Sequence, residues 1–248
     1  MKTTGHKILI TGGSSGIGLS ITRKLLALGN DIIITGRNLQ KLEAVKEELG
    51  RIDFICCDMA EPNAHLEISN QVIEKLGSLS ILINNAGIQE NNSFLDTPIE
   101  QIAKWSRQEI EINLTSVINL AAACLPHLRQ MNSAAIVNIS SGLAITPKSS
   151  APVYCATKAA IHSFSQALRY QCEDQTPHIN IFEVLPPLVD TAMTEGRGKN
   201  KLCPDDVADT LIKGLEKDTF DINVSKVKLL RIIQRLSPRI AANILRNS

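Results

Sequence analysis

Short apolar runs alternate with helix-periodic stretches along most of the chain. Lys7–Thr11 (KILIT), Asp31–Thr35 (DIIIT), Ile52–Cys57 (IDFICC), Leu79–Asn84 (LSILIN), Ala134–Ser140 (AAIVNIS) and Ile179–Leu185 (INIFEVL) read as strands. Between them, Gly16–Leu28, Leu39–Leu49, His65–Leu76, Pro98–Met131 and Val153–Glu173 read as helices. Strands that are apolar on both faces are covered on both sides, and an intervening helix makes successive strands parallel. No linker, repeat or low-complexity segment breaks the alternation. The pattern predicts an α/β fold with one doubly wound parallel sheet, helices on both faces and a single domain over residues 1–248.

The pattern changes near the end. Lys226–Leu236 (KVKLLRIIQRL) sets Leu229, Ile232, Ile233 and Leu236 on one helical stripe, with Lys226, Lys228, Arg231 and Arg235 interspersed. Ser237-Pro238 breaks the helix, and Arg239–Arg246 resumes it. A basic amphipathic tail over residues 226–248 can lie on an anionic membrane or pack its stripe on the domain or across a subunit boundary. Packing on the domain or oligomerisation is the favoured expectation over membrane contact, and a homo-oligomer such as a dimer or tetramer is expected.

Composition narrows the function classes. Lys and Arg number 26 against 25 Asp and Glu, and aromatics are 3% of the 248 residues. Neither a phosphate-binding charge excess nor a base-stacking surface is present, so nucleic acid is not an expected partner. The six cysteines show no CxxC and no metal-ligand spacing with histidine, so no metal site is expected. They read as reduced thiols, which points to the cytoplasm. Met1-Lys2-Thr3-Thr4 runs straight into a strand, which predicts no signal peptide, and no apolar run is long enough to span a bilayer.

Two motifs carry chemistry. Thr11-Gly12-Gly13-Ser14-Ser15-Gly16-Ile17-Gly18 joins the first strand to the first helix. Glycines there let backbone approach a pyrophosphate, and the helix N-terminus offers free N–H groups to the anion. The spacing is G-x-x-x-G-x-G rather than the more general G-x-G-x-x-G. Further on, Tyr154 and Lys158 are four residues apart, on one face of a helix. A free phenol titrates near ~10, and a neighbouring ammonium favours the phenolate, which would make a general acid–base.

These motifs, with Asn84-Asn85-Ala86-Gly87, Asn113 and Ser141 in order and thirteen positions from Ser141 to Tyr154, resemble the short-chain dehydrogenase/reductase family from Lys7 to about Thr191. The resemblance implies a Rossmann-type fold with about seven parallel strands, NAD(P)(H) as hydride carrier and a catalytic tetrad of Asn113, Ser141, Tyr154 and Lys158. Ser141 would polarise a carbonyl and Tyr154 would deliver the proton. Lys158 would lower the tyrosine pKa and hold the nicotinamide ribose, and Asn113 would hold water in a proton relay. Ser140 competes with Ser141, but the spacing favours Ser141. Cofactor contacts are expected from Thr11, Gly12, Ser14, Ser15, Gly16, Ile17, Gly18, Asn85, Ala86, Gly87, Tyr154 and Lys158.

The second strand ends in Thr35-Gly36-Arg37-Asn38, with no acid until Glu43. Arg37 suits a 2′-phosphate where a carboxylate would suit a ribose hydroxyl, so NADP(H) is expected over NAD(H). Asp58 resembles the family's adenine-amino acceptor, or is a helix N-cap before Pro62. Val189 and Thr191 are expected at the carboxamide. Pro187 departs from the usual Pro-Gly and puts the path of Pro186–Thr191 in question. Substrate contacts fall to Ser141, Leu143 and Leu188, within the segments Gln89–Phe94, Gly142–Ile145 and Leu188–Leu202; the last is a short lid whose Arg197, Lys199 and Lys201 read as a solvated face. The expected reaction is hydride transfer between NADP(H) and a small or medium apolar carbonyl or alcohol. The alternatives are a non-catalytic nucleotide-binding regulatory protein, or a membrane-peripheral reductase of lipid-derived carbonyls. The tail and the Pro-Pro-Leu-Val-Asp-Thr segment more loosely resemble bacterial reductase-like proteins linked to D-alanine esterification of teichoic acids.

Overall fold

A computed structural model describes residues 1–247. Seven strands build one sheet: β1 (Lys7–Thr11), β2 (Asp31–Gly36), β3 (Ile52–Cys56), β4 (Ile81–Asn84), β5 (Ala134–Ile139), β6 (Ile179–Leu185) and β7 (Asp221–Asn223). Their order is β3-β2-β1-β4-β5-β6-β7, and every neighbouring pair is parallel. The winding reverses between β1 and β4. In such sheets ligands bind beyond the carboxyl ends of the strands at that reversal.

Period-two alternation within each strand divides the core between two faces. Ile8 and Ile10 of β1, Ile81 and Ile83 of β4, and Phe182 and Val184 of β6 face one helical layer. That layer contains α1 (Gly16–Ala27), α2 (Leu39–Leu49) and α7 (Pro204–Glu216). Leu9, Leu82, Ile136 and Ile181 face the other layer. It contains α3 (Ala64–Leu76), α5 (Ser116–Leu128) and α6 (Pro152–Gln175). Both faces are buried, which is why the strands carry so few polar residues. The doubly wound α/β architecture expected from the pattern is therefore the fold of this chain.

Three details differ from the sequence reading. The stretch Pro98–Met131 is not one helix: α4 (Ile99–Ile110) and α5 are joined by a π-helical turn over Glu111–Thr115. Ser116 N–H there donates to Glu111 C=O, a five-residue step, so the turn holds one residue more than an α-helix would. The helix α7, whose Val207, Ala208, Leu211 and Leu215 follow a helical period, and the three-residue strand β7 lie outside the elements read from the sequence. Finally, the tail forms α8 (Val227–Leu236) and α9 (Pro238–Leu245), broken at Ser237-Pro238 as expected. Ser248 lies outside the described residues. Among the described residues no helix is long and apolar enough to cross a membrane, and all six cysteines are free.

Candidate active site

The carboxyl end of β5 and the first turns of α6 bring Ser141, Tyr154 and Lys158 together. Ser141 follows β5 in extended backbone and opens a 3₁₀ turn over Gly142–Ala144; its Oγ accepts from Leu143 N–H at 3.1 Å. Pro152, whose fixed φ suits a helix start, begins α6. Two and six residues later come Tyr154 and Lys158, both buried. Ser141 lies near the Tyr154 hydroxyl and acts on it electrostatically, favouring its ionised form. The competing serine is engaged elsewhere, since Ser140 Oγ donates to Lys158 C=O at 3.4 Å.

Electrostatics here depart from the sequence expectation. Burial pushes the Tyr154 phenol up to about 12, with the nearby Ser141 working against that rise. Burial pulls the Lys158 ammonium down to about 8, and the Glu183 carboxylate opposes it. The expected lowering of the phenol by Lys158 is thus not what this arrangement produces. Lys158 Nζ lies 5.7 Å from the Tyr154 ring centroid and donates to Ile139 C=O at 2.8 Å. In the interior, desolvation of the phenolate outweighs a cation at that range.

Glu183 and His162 escaped the sequence reading. Glu183 sits in β6, fully buried, and its Oε2 lies 2.5 Å from His162 Nδ1 on α6. That hydrogen bond raises the imidazole pKa. The available signal was an acid inside the apolar run INIFEVL, because a buried carboxylate needs a partner. His162 also lies one turn beyond Lys158, on the same side of the helix.

Asn113 points from the π turn into the loop after β4. Its Oδ1 accepts from Ile88 N–H and its Nδ2 donates to Ile88 C=O, both at 2.8 Å. Nδ2 also reaches Thr157 Oγ1 at 3.4 Å. The side chain therefore clamps backbone, a role the sequence reading did not assign. A Cβ on Gly87 would meet Asn113 Oδ1 at 3.1 Å and Lys158 Nζ at 3.8 Å, so amide and ammonium flank one glycine.

The first turn is built for close approach. Gly16 has φ +51°, a left-handed value that L side chains rarely adopt, and a Cβ there would meet Thr191 Cγ2 at 3.0 Å. Gly18 has no room for a Cβ, which would overlap the Gly12 carbonyl. Asn85 holds this turn: its Nδ2 donates to Thr11 C=O at 3.0 Å and Gly12 C=O at 3.2 Å. Thr11 Oγ1 in turn accepts from Asn85 N–H and Ala86 N–H, each at 3.0 Å. Asn84 braces the sheet as expected, donating to Asn138 Oδ1 at 2.9 Å. Ser15 stands at the N-cap of α1 without a side-chain cap bond, so no side chain claims the first-turn N–H groups. Ser14, Ser15, Gly16, Ile17 and Gly18 thus offer the donors and clearance that fit a pyrophosphate.

At the end of β2, Arg37 Nη1 lies 3.9 Å from Asp58 Oδ2, and both side chains are exposed. Asp58 Oδ1 accepts from Ala60 N–H at 3.0 Å, while the N-cap of α3 is Asn63, so the capping alternative for Asp58 is not realised. Pro187 leaves the loop after β6 ordered: Pro186 C=O accepts from Gly142 N–H, and Leu188 and Asp190 pair with Leu202, each at 2.9 Å. Val189 is buried at this closure and Leu188 exposed. Of the lid cations, only Lys199 matches the solvated face expected for them. Arg197 Nη2 donates to Gln89 C=O at 3.3 Å, and Lys201 Nζ donates to Thr194 C=O at 2.7 Å. Arg197 thereby ties the lid to Gln89–Phe94, the second expected substrate segment. Leu143 lies two residues beyond Ser141, in the turn after β5, so Ser141, Leu143 and Leu188 border the same end of the sheet.

The sequence profile of a family described as short chain dehydrogenase matches residues 6–202. An uncharacterized oxidoreductase, DltE, of Bacillus subtilis (strain 168) is 38% identical over 237 residues, covering 93% of this chain and 92% of that protein. A short chain dehydrogenase from Burkholderia cenocepacia J2315, solved in complex with NADP, superposes with a TM-score of 0.86 at 22% identity, covering 100% of both chains. A short chain dehydrogenase/reductase from Burkholderia phymatum, solved in complex with NAD, gives a TM-score of 0.86 at 19% identity over 100% of this chain and 97% of that one.

Proposed function

The chain belongs to the short-chain dehydrogenase/reductase family, and on that premise we propose that it is an NADP(H)-dependent reductase of small or medium apolar carbonyl compounds, reversible to the alcohol. The observation that carries the reading is the gathering of Ser141, Tyr154 and Lys158 at the carboxyl edge of the sheet, with Lys158 Nζ 5.7 Å from the Tyr154 ring and beside Gly87. A nucleotide-binding regulatory module requires the turn but neither the phenol nor the ammonium.

In this reading a carbonyl oxygen sits between the Ser141 and Tyr154 hydroxyls. Ser141 Oγ–H donates to that oxygen and polarises it, and the Tyr154 O–H delivers its proton as the oxygen becomes an alkoxide. A phenol kept high by burial is protonated throughout the neutral range, as a proton donor must be. The bound nicotinamide supplies the hydride. Asn113 Oδ1, with one lone pair taken by Ile88, and Lys158 Nζ flank Gly87 closely enough to share a water through which the phenol is reprotonated.

Arg37 supports a 2′-phosphate, since β2 itself ends without an acid and the Arg37 side chain is 54% exposed, approached by Asp58 at 3.9 Å. Asp58 beside it suits the adenine amino group, Val189 and Thr191 the carboxamide, and Leu143 and Leu188 the apolar body of the substrate. Free cysteines suit a reducing cytoplasm. Ile99 and Ile110, three turns apart on one exposed side of α4, support a homo-oligomer. The test is oxidation of NADPH, followed by absorbance, against a panel of ketones and aldehydes. Turnover of apolar members by the parent protein supports the reading, and NADPH binding with no turnover of any member sinks it in favour of a binding module.

A further inference from the structure

The tail forms a two-sided element, and the stripe that looked ready to pack on the domain does not. At about 100° per residue, Val227, Leu230 and Gln234 share one side of α8, and Leu229, Ile232 and Leu236 the opposite side. The first side faces the protein: Val227 and Leu230 are buried, and Gln234 Oε1 accepts from Thr146 Oγ1 at 3.1 Å. The second side faces out, with Leu229 59%, Ile232 56% and Leu236 82% exposed. On α9, Ala241 is buried while Ile240 and Ile244 are exposed. An outward apolar stripe therefore runs along both helices.

Its charge is one-signed. From Lys226 to the end the sequence has six Lys and Arg and no Asp or Glu. Arg231, on the inward side, pairs with Asp221 at 3.0 Å. No carboxylate lies within ion-pair reach of Lys226, Lys228, Arg235, Arg239 or Arg246 among the described residues. Lys228 and Arg235, seven residues apart, stand on one flank of the apolar stripe.

We propose that α8 and α9 form a docking surface for an anionic lipid bilayer, with Leu229, Ile232, Leu236, Ile240 and Ile244 entering the acyl boundary and the flanking cations at the headgroups. An interfacial helix needs an apolar face with cations at its border, and this tail supplies both. A second copy of the chain is a poorer occupant. A two-fold contact would lay this surface against itself, bringing like charges together with no acid on either side.

Docking would also orient the catalytic mouth. A Cβ on Gly142, the residue after Ser141, would meet Val227 at 3.1 Å and Leu230 at 3.8 Å. Ser149 N–H and Oγ–H both donate to Arg246 C=O, at 2.9 and 2.8 Å. The tail is thus braced along the segment from Ser141 towards α6, and a bilayer beneath it would lie beside the substrate opening.

The test uses the full-length protein and reads binding, not turnover, so its failure leaves the reductase reading untouched. Co-sedimentation with phosphatidylcholine vesicles is compared with vesicles that also contain phosphatidylglycerol. The parent is expected to partition about tenfold or more in favour of the anionic vesicles and to be released by salt. The double variants Ile232→Ser/Leu236→Ser and Lys228→Glu/Arg235→Glu are each expected to lose that partitioning with an unchanged melting temperature, the replaced side chains being exposed. A parent that ignores anionic vesicles overturns the proposal, as do variants that sediment like the parent. An Ile232→Ser/Leu236→Ser protein that falls to a smaller oligomer by light scattering, with no vesicle binding in the parent, would assign the stripe to a subunit contact instead.

Discussion

His162 Nδ1 lies 2.5 Å from Glu183 Oε2, one turn of α6 beyond Lys158, so the ammonium shares the interior with a second ionisable pair. Glu183 holds the Lys158 pKa above where burial alone would leave it. Lys158 carries charge below about 8 and loses it as pH rises through that value. Glu183→Gln removes the opposing carboxylate, and the alkaline limb of the kcat/KM profile is expected to move to lower pH. An unmoved limb with reduced stability would leave Glu183 a purely structural residue.

The same pair predicts a stability window. His162 has a raised pKa in the folded state, so its contribution is fully present below its unfolded value, near ~6.5, and is lost as pH rises through the folded value. The melting-temperature gap between parent and His162→Gln should therefore be widest in mild acid and shrink towards alkaline pH. A gap constant across that range would mean the contact is worth the same with a neutral imidazole.

Tyr154→Phe removes the hydroxyl near Ser141 and leaves the ring volume in place. NADPH binding, followed by fluorescence, is expected to stay within about twofold, while kcat on any accepted carbonyl falls by roughly 10²–10⁴. Retained turnover would point to a different proton donor.

Arg37 is the one cation at the end of β2, close to Asp58. NADPH should raise the melting temperature of the parent more than NADH at equal concentration, and Arg37→Ala should erase the difference. Because Arg37 is exposed, the variant without cofactor should melt with the parent. Equal shifts in the parent would reverse the NADP(H) assignment.

Gly18→Ala tests the first turn. The added methyl would strike the Gly12 carbonyl, which is backbone and cannot swing aside. Overpacking of this kind costs about 1–3 kcal/mol, so a lower melting temperature together with weakened NADPH binding is expected. A variant with the parent's melting temperature and affinity would mean the turn is looser than its geometry.

The sheet was legible because its strands are apolar on both faces, a pattern that few other architectures generate. The placement of Ser141, Tyr154 and Lys158 was legible as well: a helical four-residue step sets the last two, and the thirteen-position spacing shared with the family selects Ser141 over Ser140. What escaped depends on long-range packing. The clamp of Asn113 on Ile88 needs the π turn, and a turn of one extra residue leaves no periodic trace in so short a window. The pKa of Tyr154 depends on burial from several elements, so a motif containing a cation predicted the wrong direction. The outward stripe of α8 was correct as a stripe; its direction was set by the competing pair Val227 and Leu230, which fit beside Gly142.

The π turn at Glu111–Thr115 ties chemistry to architecture in a way that restricts how this chain can change. Deleting its additional residue would restore a continuous helix and rotate everything after it by about 100°. Leu120, Ala121, Cys124 and Leu128, now buried against the sheet, would swing off it together. The asparagine's placement and the seating of α5 are consequently set by the same extra residue, and removing it would disturb both at once.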